Sequence, residues 1–118
     1  MTYLARQNPS ERVRANDLSK AIGVSAPFLS KIMRRLTVHG LLDARKGHHG
    51  GFQLSRPAEQ IRFIDILRAV DFNPESEHCL FGLGNCDAKN PCPLHHEWSV
   101  LKEQIEQWAR AHTLAEAA

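Results

Sequence analysis

"RANDLSKAIGVSAPFLSKIMRRLTVHGLL", residues 14–42, holds two short helical patterns on either side of a glycine. Asn16 or Asp17 can cap the first, whose apolar residues Leu18, Ala21 and Ile22 fall on one face. Gly23 lets the backbone turn sharply, because a residue without a Cβ reaches positive φ at little cost. Ser25 is placed to cap the second helix, and Pro27 stands in its first turn, where a missing N–H leaves no bond unmade. Leu29, Ile32, Met33 and Leu36 then recur at helical spacing as a core stripe, with Gly40 as a left-handed stop. Ser30, Lys31, Arg34 and Arg35 lie on the other side, exposed and mostly basic. Helix, glycine turn and basic second helix make a helix-turn-helix.

The stretch that follows, "LLDARKGHHGGFQLSRP", changes period. Leu41, Leu42 and Ala44 lead into a glycine-rich centre, after which Phe52 and Leu54 alternate with Gln53 and Ser55, the pattern of a β-hairpin. A hairpin directly after a basic helix is a wing. Arg45, Lys46, His48 and His49 crowd its tip and Arg56 stands at its exit, so it is placed to touch phosphates or enter a minor groove.

Charge points the same way. Residues 1–56 carry ten Lys or Arg against three Asp or Glu, a net of +7, whereas residues 57–118 carry five against ten, a net of −5. Clustered cations gain by displacing condensed counterions from a polyanion, so the basic half is the half expected to meet nucleic acid. At 118 residues and 42% hydrophobic content, the chain is one domain's worth with a modest core. The first residues lack a signal-peptide pattern and no apolar run approaches the roughly 20 residues that span a bilayer, which points to a reducing, cytoplasmic setting.

In that setting the three cysteines read as ligands more readily than as disulfides. They sit in "HCLFGLGNCDAKNPCPLHHEW", residues 78–98, with the spacing C-x6-C-x5-C-x2-H formed by Cys79, Cys86, Cys92 and His95. Gly82, Gly84, Asn85, Asn90, Pro91 and Pro93 let such a loop fold back around a small object. Three thiolates and an imidazole would close a tetrahedral zinc site or supply the four protein ligands of a 2Fe-2S cluster. Spacing leaves zinc, an iron–sulfur cluster and unligated thiols open; the close C-x2-C pair usual in zinc knots is absent. His96 and His78 compete with His95 for the fourth place, each more simply read as an exposed loop histidine.

Between wing and cysteine loop, "IRFIDILRAVDFNP" reads as a strand end and a short helix burying Ile64, Leu67 and Val70, stopped by Pro74. Beyond Pro93, Leu94, Trp98, Leu101, Ile105 and Trp108 recur at spacings of 4, 3, 4 and 3, the seam of a helix packed on another helix. Two tryptophans there are more apolar area than a small monomer readily hides, so the expected partner is the same helix of a second subunit. "LAEAA", after Thr113, carries no readable signal. A thiol enzyme with Cys92 as nucleophile and His95 as base is a remote alternative, because no oxyanion donors, orienting carboxylate or substrate pocket can be named and the basic wing would be unexplained.

The segments "GVSAPFLSKIMRRLTVHGLL", "RKGHHGGFQLSRPAEQI" and "IDILRAVD" together resemble the Rrf-two family of bacterial transcription regulators, including its IscR- and NsrR-like iron–sulfur members, over nearly the whole chain. The resemblance implies a dimeric winged-helix protein on a pseudopalindromic promoter site, with Ser25, Pro27, Phe28, Ser30 and Lys31 at groove-facing positions and Lys46 as the wing-tip base. It also implies an iron–sulfur cluster on Cys79, Cys86 and Cys92, with His95 as fourth ligand. Within that resemblance 2Fe-2S is the favoured cluster, but the first cysteine gap is one residue longer than the family's commonest, which leaves 4Fe-4S and zinc open. In place of the family's longer first helix stands "MTYLARQNP", and no acid precedes Arg6 to act as the carboxylate ligand of NsrR-like members.

The expected architecture is mainly α with a small β-wing. Residues 1–72 form a winged helix-turn-helix whose first helix is short, through a native short start or a late one; residues 73–93 form the cluster-binding loop, and residues 94–118 the dimerisation helix and tail. The expected function is transcriptional regulation sensing iron–sulfur status, redox state or nitric oxide, against a zinc-stabilised or cluster-free regulator as the nearer alternative.

Overall fold

The computed structural model of the protein describes residues 1–72, 89 and 92–118. A short α1 (Thr2–Ala5) precedes α2 (Ala15–Ile22) and α3 (Ala26–Val38); a hairpin, β1 (Leu42–Arg45) and β2 (Gly51–Leu54), follows, then α4 (Phe63–Ala69) and the long α5 (His95–Ala111). Single 3-10 turns occupy Ala58–Gln60 and Leu114–Ala117. No helix among the described residues is long and apolar enough to cross a membrane.

Helix α2 starts earlier than its polar residues suggest. Its N-cap is Arg14, with extended backbone and no side-chain capping bond, so Asn16 and Asp17 lie inside the first turn. There Asp17 still favours the positive end of the helix dipole. Of the expected apolar face only Leu18 is buried; Ala21 is exposed and Ile22 is 44% exposed, because this short helix meets α3 along a narrow line. Gly23 ends it at φ 71, and the Ser19 hydroxyl closes the turn by donating to the Val24 carbonyl at 2.5 Å.

Helix α3 follows its sequence pattern closely. Leu29, Met33 and Leu36 are buried, with Ile32 half-buried beside them. Ser25 is its N-cap residue, without a side-chain capping bond, and Pro27 stands in the first turn. Gly40, at φ 76, terminates it: the Gly40 N–H donates to Thr37 at 3.0 Å and the Leu41 N–H donates to Leu36 at 2.9 Å. This doubly bonded stop satisfies two helix-end carbonyls and drives Leu41 into the core, where it is 1% exposed.

The hairpin pairs antiparallel in the register Leu42↔Leu54, Asp43↔Gln53, Ala44↔Phe52 and Arg45↔Gly51. Val13 adds a third extended segment by exchanging two backbone bonds with Phe52, at 2.9 and 2.8 Å. Gly51 permits that approach. Its φ is 131°, and a Cβ on it would stand 2.8 Å from the Val13 carbonyl oxygen. Gly51→Ala is therefore expected to destabilise the protein by roughly 1–3 kcal/mol, read as a lower denaturant midpoint, since alanine meets both a strained backbone and a clash.

The C-terminal half is anchored to this head by backbone as well as side chains. In α4, Ile64 and Ala69 are buried whereas Leu67 and Val70 are half-buried, which shifts the expected core face by about one residue. Helix α5 docks on α4 near its own end, where Ala109 is fully buried and Trp108 stacks on Phe63 at 5.0 Å with planes 17° apart. The chain then runs back along residues 61–63: Phe63 N–H donates to His112 at 3.1 Å and Leu114 N–H donates to Ile61 at 2.8 Å. Leu114 is 1% exposed and the last turn carries a Thr113/Glu116 capping box. The tail, silent in the sequence reading, is part of the core.

Candidate nucleic-acid interface

Ser25, Pro27, Phe28, Ser30, Lys31, Arg34 and Arg35 are all exposed along α3, and Phe28 keeps 57% of its surface in solvent. The core stripe on the opposite side forces this. Lys31, Arg34, Arg35, Val38 and His39 line a shallow groove. Arg35 has a protein partner as well: it forms an ion pair with Asp71, which ends α4 at a left-handed φ of 66°.

At the wing tip Arg45, Lys46, His48 and His49 are exposed, as their positions in the pattern suggest. The two imidazoles meet edge to face at 4.8 Å. Gly47, at φ 94, makes the turn, and Gly50 donates back to its carbonyl at 3.0 Å. Arg56, at the exit of the wing, turns toward α4. Its guanidinium reaches toward Asp65 of α4, 3.6 Å away, and its Nε is buried without a partner among the described residues.

Two arginines that the sequence reading did not single out support the wing. The Arg12 side chain, 9% exposed, donates to the Asp43 carboxylate at 2.5 Å, to the Asp43 carbonyl at 3.0 Å and to the Gly51 carbonyl at 3.4 Å. The Arg12 hydrogen bond, with lesser help from the charges of Arg12 and Arg45, holds the Asp43 carboxyl below the usual carboxylate range. Arg14 donates to the Gly47 carbonyl at 3.1 Å. Their alternation about Val13 was the available signal, a short strand pattern hidden between α1 and α2.

Wing and reading helix also share a junction. Ser55 donates its N–H to Leu41 at 3.1 Å and its hydroxyl to Gly40 at 2.5 Å, so the strand leaving the wing is bonded to the stop of α3.

Of the expected cluster ligands, Cys79 and Cys86 lie outside the described residues, as does the competing His78. Cys92 is a half-buried free thiol whose carbonyl accepts the His95 N–H at 3.0 Å, leading into the first turn of α5. His95 is half-buried and His96 exposed, so of the two only His95 is partly withdrawn from solvent. Among the described residues no three His, Cys, Asp or Glu side chains form a metal-holding group, and these include only two of the four candidate ligands. Soft thiolates with one imidazole are a donor set that suits iron–sulfur clusters and zinc alike.

The Rrf2 family profile, described as an iron-dependent transcriptional regulator, matches residues 1–118. The chain belongs to the Rrf2 family. Among Rrf2 relatives, it is 33% identical over 116 residues to an HTH-type transcriptional regulator of Aquifex aeolicus, covering 97% of this chain and 80% of that protein. It is 30% identical over 116 residues to the HTH-type transcriptional regulator IscR of Klebsiella pneumoniae strain 342, covering 98% and 71%. Among solved structures, CymR, the global cysteine regulator of B. subtilis, superposes with a TM-score of 0.76 at 16% identity over 99% of this chain and 88% of that one. T. potens IscR superposes at 0.71 with 24% identity, over 97% and 74%. These two likenesses establish the winged-helix fold. The Rrf2 assignment makes the protein a DNA-binding transcriptional regulator rather than an enzyme, which removes the Cys92–His95 thiol-enzyme reading.

Proposed function

We propose that this Rrf2 regulator works in the cytoplasm as a homodimer on promoter DNA, and that its DNA binding responds to an iron–sulfur cluster held by Cys79, Cys86, Cys92 and His95. The observation that carries the DNA reading is the shared exposure of the α3 face and the wing tip on one bonded head. Ser25, Pro27, Phe28, Ser30, Lys31 and Arg34 enter the major groove from α3, with hydroxyls and cations for base edges and phosphates and Phe28 for apolar contact. Arg35 contributes charge from the helix end while paired to Asp71. Arg45, Lys46, His48 and His49 follow the backbone into the neighbouring minor groove.

A bound cluster would supply redox chemistry and sensitivity to oxygen or nitric oxide. The protein's part is to place donors: Cys92 and His95 bracket the turn into α5, so ligation there pins the start of the helix whose exposed seam is the proposed subunit contact. Replacing one thiolate by neutral imidazole makes the ligand set less negative, which favours a higher potential.

Selection of bound duplexes from a random-sequence pool tests the reading, and the recovered duplex becomes the probe. Arg45→Ala with Lys46→Ala is expected to weaken its binding about tenfold or more and to lower the slope of log affinity against log salt by up to about 2, one release event per lost phosphate contact. Equal affinity and slope for the double variant would reject the wing as a contact.

A further inference from the structure

We propose that Arg12 and Arg14 are positioning residues that set the pitch of the wing, and that Asp43, a carboxylate on the DNA-facing hairpin, is required for DNA binding. The inference rests on the wing being a DNA contact. A two-stranded hairpin is marginal by itself and needs a third strand or a packed face to fix its direction. Here the third segment is a single bridge at Val13, and of the residues on its two sides one grips the paired strands of the hairpin and the other its turn. Arg12 ties the two strands together through Asp43 of β1 and Gly51 at the tip end of β2, with a side chain too buried to reach a phosphate. Arg14 holds the tip through the Gly47 carbonyl, one residue from Lys46. The bond to the Asp43 carboxylate is charge-assisted and, with the neighbouring bond to the Asp43 carbonyl, directional, the kind that fixes orientation as well as adding energy. Arg45, two residues beyond Asp43 on the same strand, inherits its aim from this clamp. Arg12 is therefore a cation of the basic half that does not meet nucleic acid.

Simple charge arithmetic and the clamp predict opposite signs. Removing the Asp43 carboxylate takes a negative charge away from the polyanion, so long-range electrostatics alone tightens binding. The clamp predicts weaker binding, graded by what replaces the lost acceptor. With the duplex recovered by wild-type protein from the random pool, Asp43→Ala is expected to weaken affinity about tenfold and Asp43→Asn about threefold, although both remove the same charge. In the Asp43→Ala background, Lys46→Ala should cost much less than in wild type, because a mis-aimed tip no longer presents it. A general loss of stability would not abolish that Lys46 dependence. Should Asp43→Ala fail to fold, Arg12→Lys, which keeps the charge and loses the forked contact, carries the same two measurements.

Binding by Asp43→Ala as tight as wild type or tighter overturns the proposal. So does weaker binding with an unchanged cost of Lys46→Ala. A wild type that recovers no duplex from the pool overturns the DNA-contact reading itself and this proposal with it, whereas failure confined to the variants leaves that reading standing.

Discussion

Leu101→Glu is expected to turn a homodimer into a monomer at micromolar concentration in sedimentation. Helix α5 has 17 residues, so its seam runs about 25 Å. Along it Leu94 is 46% exposed, Leu101 52% and Trp108 52%, with Trp98 and Ile105 half-buried, a row of large apolar side chains that the described part of the same chain leaves partly in water. The molecule's long dimension of 56 Å and radius of gyration of 17.0 Å, against about 13–14 Å for a compact domain of this length, fit an extended body offering this helix for association. A carboxylate at the centre of the closed seam would be desolvated without a partner, a penalty of several kcal/mol by rough estimate, or about a hundredfold or more in dissociation constant. The substitution should leave the single chain folded, because position 101 is half in solvent and glutamate is a good helix former. A wild type that sediments as a monomer at micromolar concentration would sink the homodimer.

The second large effect belongs to the cysteine segment. Cys92→Ser should abolish normal cluster assembly on anaerobic reconstitution, while His95→Ala should shift the spectrum and potential and shorten survival in oxygen. His96→Ala should do neither. Successive helical residues point about 100° apart, and His96 is exposed where His95 is half-buried. Iron, sulfide and zinc analysis of the anaerobically purified protein separates a cluster from a zinc knot in the same experiment. Identical iron content, spectra and oxygen stability for wild type and His95→Ala would remove His95 and leave three cysteines requiring a fourth ligand from elsewhere.

Strong periodicity made the reading head legible. Leu29, Met33 and Leu36 announced α3, Gly40 its end, and the alternation through Phe52 and Leu54 the wing, because each signal is local and repeats within one element. What escaped depends on contacts distant in sequence. Arg12 finds Asp43 across 31 positions, and nothing near Arg12 indicates that its charge is committed. Leu114 became core only because the tail returns to Ile61; its sole local clue was Thr113 three residues before Glu116. The α2 boundary was misplaced for a simpler reason. Asn16 and Asp17 are favoured both at caps and in first turns, and the structure uses the second option. The roles assigned to Cys79 and Cys86 fall outside the described residues and rest on donor chemistry and the family alone.

The Ser55 junction limits how such a regulator can change its mind. With the stop of α3 and the exit of the wing sharing bonds through Gly40, Leu41 and Ser55, helix and hairpin cannot pivot independently without breaking backbone pairing beside the buried Leu41. Each head is then a fixed stamp with one imprint. In a two-headed assembly, the remaining freedom is the distance and phase between the two stamps, a quantity that operators record as the number of base pairs between half-sites. A signal received near the start of α5 would therefore be written in spacer length, and duplexes differing only by one inserted central base pair are where its effect should be largest.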